Sequence, residues 1–420
     1  MNIMGSDAFG YAKKKYGALG VDVEQAIDIV SNTSISIHCW QGDDVTGFEN
    51  LRKGVSGGGI QATGNFPGKA RNIHELRRDL EKVISLVPGK HKVALHGMYG
   101  DFGESVVDRN ALEYSHFDSW VGWARENGVG LDFNSTLFAH PRADSGFTLS
   151  SKDPETRGFW VEHVKRCREV SAEIGKKLGV PCVHNLWIPD GMKDYTVDRM
   201  GYRELLLESL DEIYSEKYPE DHLLDSVESK LFGLGSESYV VGSHDFYLGY
   251  AVKNGLMPCL DLGHYHPTES IADKISAILP FVSGIILHVS RGVKWDSDHV
   301  VTLDDPVVDL FHEIVRCDAL DRIHIGLDYF DASINRIGAW VTGVRATQKA
   351  LLIALLEPVE KLKQIEEAGD YFKRLALLEE MKSMPWGVVW DHLCEKTGIA
   401  HGLGWIDEVK KFEETLKRRG

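Results

Sequence analysis

GIILHVSR (284–291) and RIHIGLDY (322–329) are short, β-branched and apolar, and each carries polar groups toward its end. Between them, 305–317 is amphipathic, with apolar residues at three- and four-residue spacing. A continuous apolar run bounded by turn residues reads as a strand buried on both faces, and strand, helix, strand is the unit of a parallel sheet.

Working outward, the same pattern recurs toward the N-terminus. TSISIHCW (33–40), KVALHGMY (92–99), VGLDFNST (129–136), PCVHNLWI (181–188), LLDSVESK (223–230) and MPCLDLGH (257–264) are further strands. Helical periodicity falls at 70–87, 154–179, 202–217, 238–254 and 269–282. Repeated strand–helix units of this number predict a closed (β/α)8 TIM barrel rather than an open sheet. Residues 1–32 read as an N-terminal helical segment, 33–343 as the barrel, and 344–420 as a C-terminal helical extension broken near Pro358, Gly369, Pro385 and Gly398. Within that extension ALLIALLEPV (350–359) is too apolar to face water and must be covered by the barrel or another subunit. The stretch 41–69 is Gly-rich without periodicity, which suits a long loop over the barrel mouth; it lacks the GxxxxGK[ST] of a phosphate loop.

Composition narrows the function classes. Of the 420 residues 43% are hydrophobic and 26% charged, as in an ordinary globular chain. The formal net charge of −16 speaks against nucleic acid or an anionic membrane surface as partner. The six cysteines have no CxxC spacing, and Cys39, Cys182 and Cys259 lie in strand-like runs, so they read as buried free thiols suited to a reducing, cytoplasmic setting. The N-terminal residues do not form a secretion signal, and no run is long enough to span a bilayer.

In such a barrel the active site lies at the C-terminal strand ends. Those ends offer, in order, His38 and Gln41, His96, Asn134, His184 and Asn185, Glu228 and Lys230, Asp261 and His264, His288, and Asp328. Uncompensated buried polar groups are costly, so eight polar strand ends at one mouth point to a ligand. Glu228, Asp261 and Asp328 would repel one another there unless a cation neutralised them. With His288 they form a candidate four-residue set for one divalent ion. Asp296 and Asp298 in the following loop, with His264, form a second candidate set, and Asp261 is placed to bridge the two. Lys230 lies two residues after Glu228, where it either stabilises a developing oxyanion or pairs with Glu228. His96 reads as a proton-transfer group for sugar ring opening or as a supporting hydrogen-bond partner. Trp40, Trp187 and Phe66 read either as a wall for the C–H face of a sugar or as ordinary core.

The stretches HCWQGDD (38–44), GGGIQATGNFPGKAR (57–71), ALHGMYGDFGE (94–104), ESKLFG (228–233), LDLGHYHP (260–267), LHVSRGVKWDSDHVV (287–301) and GLDYFDASINRIGAW (326–340) resemble L-rhamnose isomerases. They occur in order over nearly the whole chain. The resemblance implies a (β/α)8 barrel, a two-metal site similar to that of xylose isomerase, and a homotetramer. It implies a structural ion on Glu228, Asp261, His288 and Asp328 and a catalytic ion on His264, Asp296 and Asp298, with Lys230 beside the substrate oxygens. Lys230, His96 and Asp328 are the expected catalytic groups. Two Mn2+ ions are expected, Zn2+, Co2+ and Mg2+ being compatible with the same donors. The implied reaction interconverts L-rhamnose and L-rhamnulose in rhamnose catabolism, with other aldoses as further substrates, by hydride shift or through an enediol. Two rivals stand beside it: a metal-dependent hydrolase, which would want a basic groove, and a non-catalytic sugar-binding protein, which would need neither Lys230 nor a second ion.

Overall fold

The computed structural model describes residues 3–49, 62–229, 237–293, 298–416 and 419. Eight parallel strands close into a barrel in sequence order: Ile35–His38, His91–His96, Gly130–Asn134, Cys182–Trp187, Leu223–Glu228, Met257–Asp261, Ile285–Val289 and Ile323–Leu327. The eighth returns to the first through Ile35↔Ile325 and Ser36↔Gly326. Each strand answers one predicted from the sequence; most show a near-continuous apolar run because a barrel strand is covered on both sides, while Leu223–Glu228 is interrupted by Asp225 and Ser226.

Helices wrap the outside. The stretches predicted at 70–87, 154–179 and 305–317 are helices Ile73–Ile84, Pro154–Leu178 and Asp305–Arg316. Their starts are fixed by acceptor side chains: Asn72 takes the Glu75 N–H, Asp153 takes those of Glu155 and Thr156, and Asp304 takes that of Val307. A further helix, Asp118–Asn127, precedes the third strand and ends on Gly128 in the left-handed conformation, φ 64°. Two helices, Ile3–Gly17 and Val23–Asn32, precede the barrel.

Beyond the eighth strand come Arg336–Leu355, Val359–Glu367, Tyr371–Met381, Trp386–Lys396 and Gly404–Leu416. The apolar run at 350–359 is largely covered within the chain itself: Ala350, Leu351, Leu352 and Ala354 are buried in the core. Their helix packs on Asp305–Arg316, Ile73–Ile84 and Val23–Asn32. The C-terminal end is fastened by Arg419, which grips Asp79 at 2.5 and 2.8 Å. No described helix is long and apolar enough to cross a membrane.

Strand register sets up the site. Trp187 lies beside Glu228, Glu228 beside Cys259, and Asp261 beside His288. Adjacent strands at the fifth, sixth and seventh positions therefore bring two carboxylates and an imidazole to the mouth, Asp261 level with His288 and Glu228 level with Cys259, two residues before Asp261.

Candidate metal centre

Glu228 and Asp261 end the fifth and sixth strands, His288 is one residue short of the end of the seventh, and Asp328 directly follows the eighth. One ligand atom from each of these four residues falls within 4.8 Å of all the others. His288 Nδ1 lies 3.3 Å from Glu228 Oε2, 3.4 Å from Asp328 Oδ2 and 3.8 Å from Asp261 Oδ2. Yet His288 Nδ1 and Asp261 Oδ2 are buried and make no regular hydrogen bond. Donor atoms that converge on one point without bonding to one another are the arrangement of a cation site.

The electrostatics agree. The Asp261 carboxyl is raised to about 7, by burial first and then by Asp328 and Glu228, against the pull of His264 and His288. Burial also works against ionised Glu228, but His288 and His264 outweigh it and hold that carboxyl well below the usual range. Burial opposes a charged His288 as well, and Cys259, Glu228 and Asp328 more than compensate. Without an ion, a proton on the imidazole supplies the positive charge that three carboxylates demand; a divalent cation supplies it better and leaves the ring neutral to ligate. Cys259 is close enough to join an alternative set with Glu228 and His288. Burial pushes its thiol up to about 12, so it stays protonated and is the poorer donor.

Each of the four is braced. Trp40 Nε1 donates to Asp328 Oδ1 at 2.9 Å. Asn185 Nδ2 donates to Glu228 Oε2 at 2.5 Å. Asp261 Oδ1 accepts from Ser290 Oγ at 2.9 Å and from the Gly263 N–H at 2.6 Å. Behind His288 stands Gly326, where a Cβ would come within 3.3 Å of the imidazole Cδ2; the missing side chain makes room for the ring. Such outer partners fix ligand orientation.

A second group adjoins the first: Asp261, His264 and Asp298 also offer ligand atoms within 4.8 Å of one another. Asp261 belongs to both groups, as its predicted bridging position requires. Asp298 sits in the left-handed region at φ 38°, an unusual place for a side chain with a Cβ. It is kept there by the Phe330 N–H on its carbonyl and by the two-bond bridge between Arg291 and His299 that closes the loop. Lys230 and Asp296, two of the residues predicted to act here, lie outside the described residues.

His96 is buried at the end of the second strand, its Nδ1 3.2 Å from Thr136 Oγ1 and its ring 4.7 Å from that of Trp40. Burial pulls its pKa down to about 3, so the ring is neutral. Trp187 ends the fourth strand beside Glu228, with its ring edge-on to Phe138 at 5.8 Å. Phe66 is half-buried, held through its backbone by Ala332 O and Arg336. The His38 ring lies edge-on to Trp40 and Tyr329, at 5.3 and 4.3 Å. Ser229, Ser290, His244 and Thr136 also support the site, and sequence reasoning does not find them: a hydroxyl beside a strand end looks like any other.

The sequence profile of the family L-rhamnose isomerase (RhaA) matches residues 3–419. The chain belongs to the L-rhamnose isomerase family. Among its relatives, the L-rhamnose isomerase of Enterobacter sp. (strain 638) is 56% identical over 414 residues, 98% of each chain. That of Bacteroides thetaiotaomicron is 54% identical over 406 residues, 97% of this chain and 96% of the relative. That of Escherichia coli O157:H7 is 54% identical over 414 residues, 98% of each. As an L-rhamnose isomerase family member the chain is an aldose–ketose isomerase, and the carboxylate–imidazole clusters are consistent with metal dependence.

Proposed function

We propose that this chain interconverts L-rhamnose and L-rhamnulose with two divalent ions at the barrel mouth, accepting other aldoses whose open chains fit. The carrying observation is the four-donor cluster of Glu228, Asp261, His288 and Asp328 in a chain 56% identical to a named L-rhamnose isomerase. These four would hold one ion. Asp261, His264 and Asp298, with Asp296, would hold the second. When bound, such ions act as Lewis acids and as a template for the sugar oxygens. Oxygen-rich donors with one imidazole per site favour Mn2+ over softer choices, with Zn2+, Co2+ and Mg2+ as substitutes.

The chain's own residues do the rest. Trp40 holds Asp328 by Oδ1 while Oδ2 faces His288, and against burial that imidazole draws the carboxyl toward its ionised form. His96, held neutral by burial with Thr136 at its Nδ1, is assigned to hydrogen-bonding the sugar as its ring opens rather than to taking up a proton. Trp187 and Phe66 supply apolar surface for the sugar's C–H face and help exclude water. Lys230 is assigned to the oxygen that becomes negative as hydrogen moves.

We further propose a cytoplasmic homotetramer of which residues 1–32, 33–343 and 344–420 form the helical lead, the barrel and the helical extension. Six buried or half-buried thiols without disulfides suit a reducing compartment. Tyr371, Phe372 and Leu375 expose apolar surface on one helix, which favours coverage by another subunit. The test is direct: protein stripped with EDTA and reloaded with MnCl2 forms ketose from L-rhamnose, and the stripped protein does not. Absence of ketose with every one of Mn2+, Co2+, Zn2+ and Mg2+ overturns the reading.

A further inference from the structure

His244 lies outside both ligand groups, at the first position of helix His244–Asn254. Three hydrogen bonds nevertheless join it to them in a closed ring. His264 Nδ1 lies 3.1 Å from the backbone oxygen of Ser229. A carbonyl only accepts, so Nδ1 carries the proton and Nε2 is the basic nitrogen of His264. The backbone oxygen of His264 in turn lies 2.9 Å from His244 Nε2, which must therefore donate. In a neutral His244 ring Nδ1 then accepts, and the group facing it is Ser229 Oγ at 2.5 Å. Side chain and backbone of Ser229 and of His264 are thus tied into one cycle, and His244 is the link that closes it.

The link is itself held. The His244 ring stacks on Tyr265, with centroids 4.0 Å apart and the ring planes 20° from parallel. Lys274 Nζ lies 4.7 Å from the Tyr265 centroid and is tethered to Glu269 at 2.7 Å. A ring fixed by stacking and by both nitrogens has no rotational freedom to spend, so it transmits position rather than merely filling space.

We propose that His244 is a positioning residue for His264: by clamping the His264 carbonyl and the Ser229 hydroxyl it fixes the orientation in which His264 meets an ion. This rests on the two-ion reading above, in which His264 serves the second site. Of the first four donors, Glu228 precedes Ser229 and sets Oε1 3.2 Å from His264 Nδ1, and Asp261 is shared with the second group. His244 bonds Ser229 and the His264 carbonyl, so its loss falls first on the site that His264 serves. Loss of an outer-shell partner typically weakens metal binding about 10- to 100-fold.

The experiment is calorimetric titration of MnCl2 into EDTA-stripped full-length protein, with thermal unfolding of the stripped protein measured alongside. His264→Ala identifies the step that belongs to the second ion. His244→Phe keeps the stacking on Tyr265 and removes both hydrogen bonds; it weakens that same step about 10- to 100-fold, leaves the other step within twofold, and leaves the stripped protein's unfolding temperature nearly unchanged. His244→Gln, which retains a donor for the His264 carbonyl, recovers part of the affinity. In the His264→Ala background His244→Phe changes nothing further. An unchanged second step in His244→Phe, an equal loss at both steps, or an effect that persists without His264 overturns the positioning role alone. Retention of both steps in His264→Ala overturns the two-ion reading and this proposal with it.

Discussion

Trp40→Phe separates two roles for one side chain. Read from sequence, Trp40 is a candidate wall for the sugar. In the structure its indole N–H donates to Asp328 Oδ1 at 2.9 Å, while Asp328 Oδ2 faces His288 at 3.4 Å. Phenylalanine keeps an aromatic ring against His38 and His96, whose centroids lie 5.3 and 4.7 Å away, and removes only the donor. A hydrogen bond to a charged group contributes about 1.5–3 kcal/mol. At about 1.4 kcal/mol per tenfold, that sets a ceiling of about 10- to 150-fold on the loss of Mn2+ affinity at the site containing Asp328. Part of the bond's value is retained by the His288 contact, so the lower half of that range is expected. Calorimetric titration of MnCl2 into the stripped variant measures it, and ketose formation at saturating MnCl2 gives KM for the sugar. The expected result is weaker metal binding with KM within about twofold of wild type. Unchanged metal affinity with a KM raised tenfold refutes the reasoning and returns Trp40 to the sugar wall.

Ser290→Ala is milder. Asp261 Oδ1 loses the Ser290 hydroxyl and keeps the Gly263 N–H at 2.6 Å, so Mn2+ affinity drops by about 10-fold, the low end of the roughly 1.5–3 kcal/mol of a hydrogen bond to a charged group. Metal removal lowers stability: Mn2+ at 100 times its dissociation constant adds about 2.7 kcal/mol per bound ion, read as a higher thermal unfolding temperature than in EDTA. Equal unfolding temperatures in the two buffers count against a built site. Far from the mouth, burial works against ionised Glu357, but His312 and Arg316 outweigh it and lower its pKa from 4.5 to about 2. A depressed carboxyl contributes stability that is complete above about 4.5 and lost as pH falls toward about 2, with a ceiling of about 3 kcal/mol at 1.36 kcal/mol per unit. Glu357→Gln is therefore less stable than wild type at pH 6, and denaturant titrations show the gap closing as pH falls through that window.

The strands were legible because a barrel buries both faces of each one, and a near-continuous apolar run survives in the sequence of most. The strand Ile285–Val289 sits inside the predicted 284–291, and Ile323–Leu327 inside 322–329. Helix Asp118–Asn127 was not: Trp120, Val121, Trp123 and Ala124 are buried at helical spacing, but the helix has only ten residues with a glycine among them. The acids and imidazoles of the mouth were legible for a different reason: charge at the end of an apolar run is costly unless something compensates it. What compensates it was hidden wherever the partner is remote in sequence. Trp40 and Asp328 are 288 residues apart and meet only because the first and eighth strands close the barrel. The left-handed backbone of Asp298 is a product of loop closure by Arg291 and His299, and no local pattern announces it.

The central claim is that the barrel mouth holds a divalent ion among Glu228, Asp261, His288 and Asp328. An anomalous difference map from a crystal soaked in MnCl2, recorded at the manganese edge, tests it most directly. The account predicts a peak about 2.0–2.6 Å from an oxygen of each carboxylate and from a nitrogen of His288, with a second peak against His264 and Asp298. A map with no peak among those four side chains, or with manganese only elsewhere on the molecule, contradicts it.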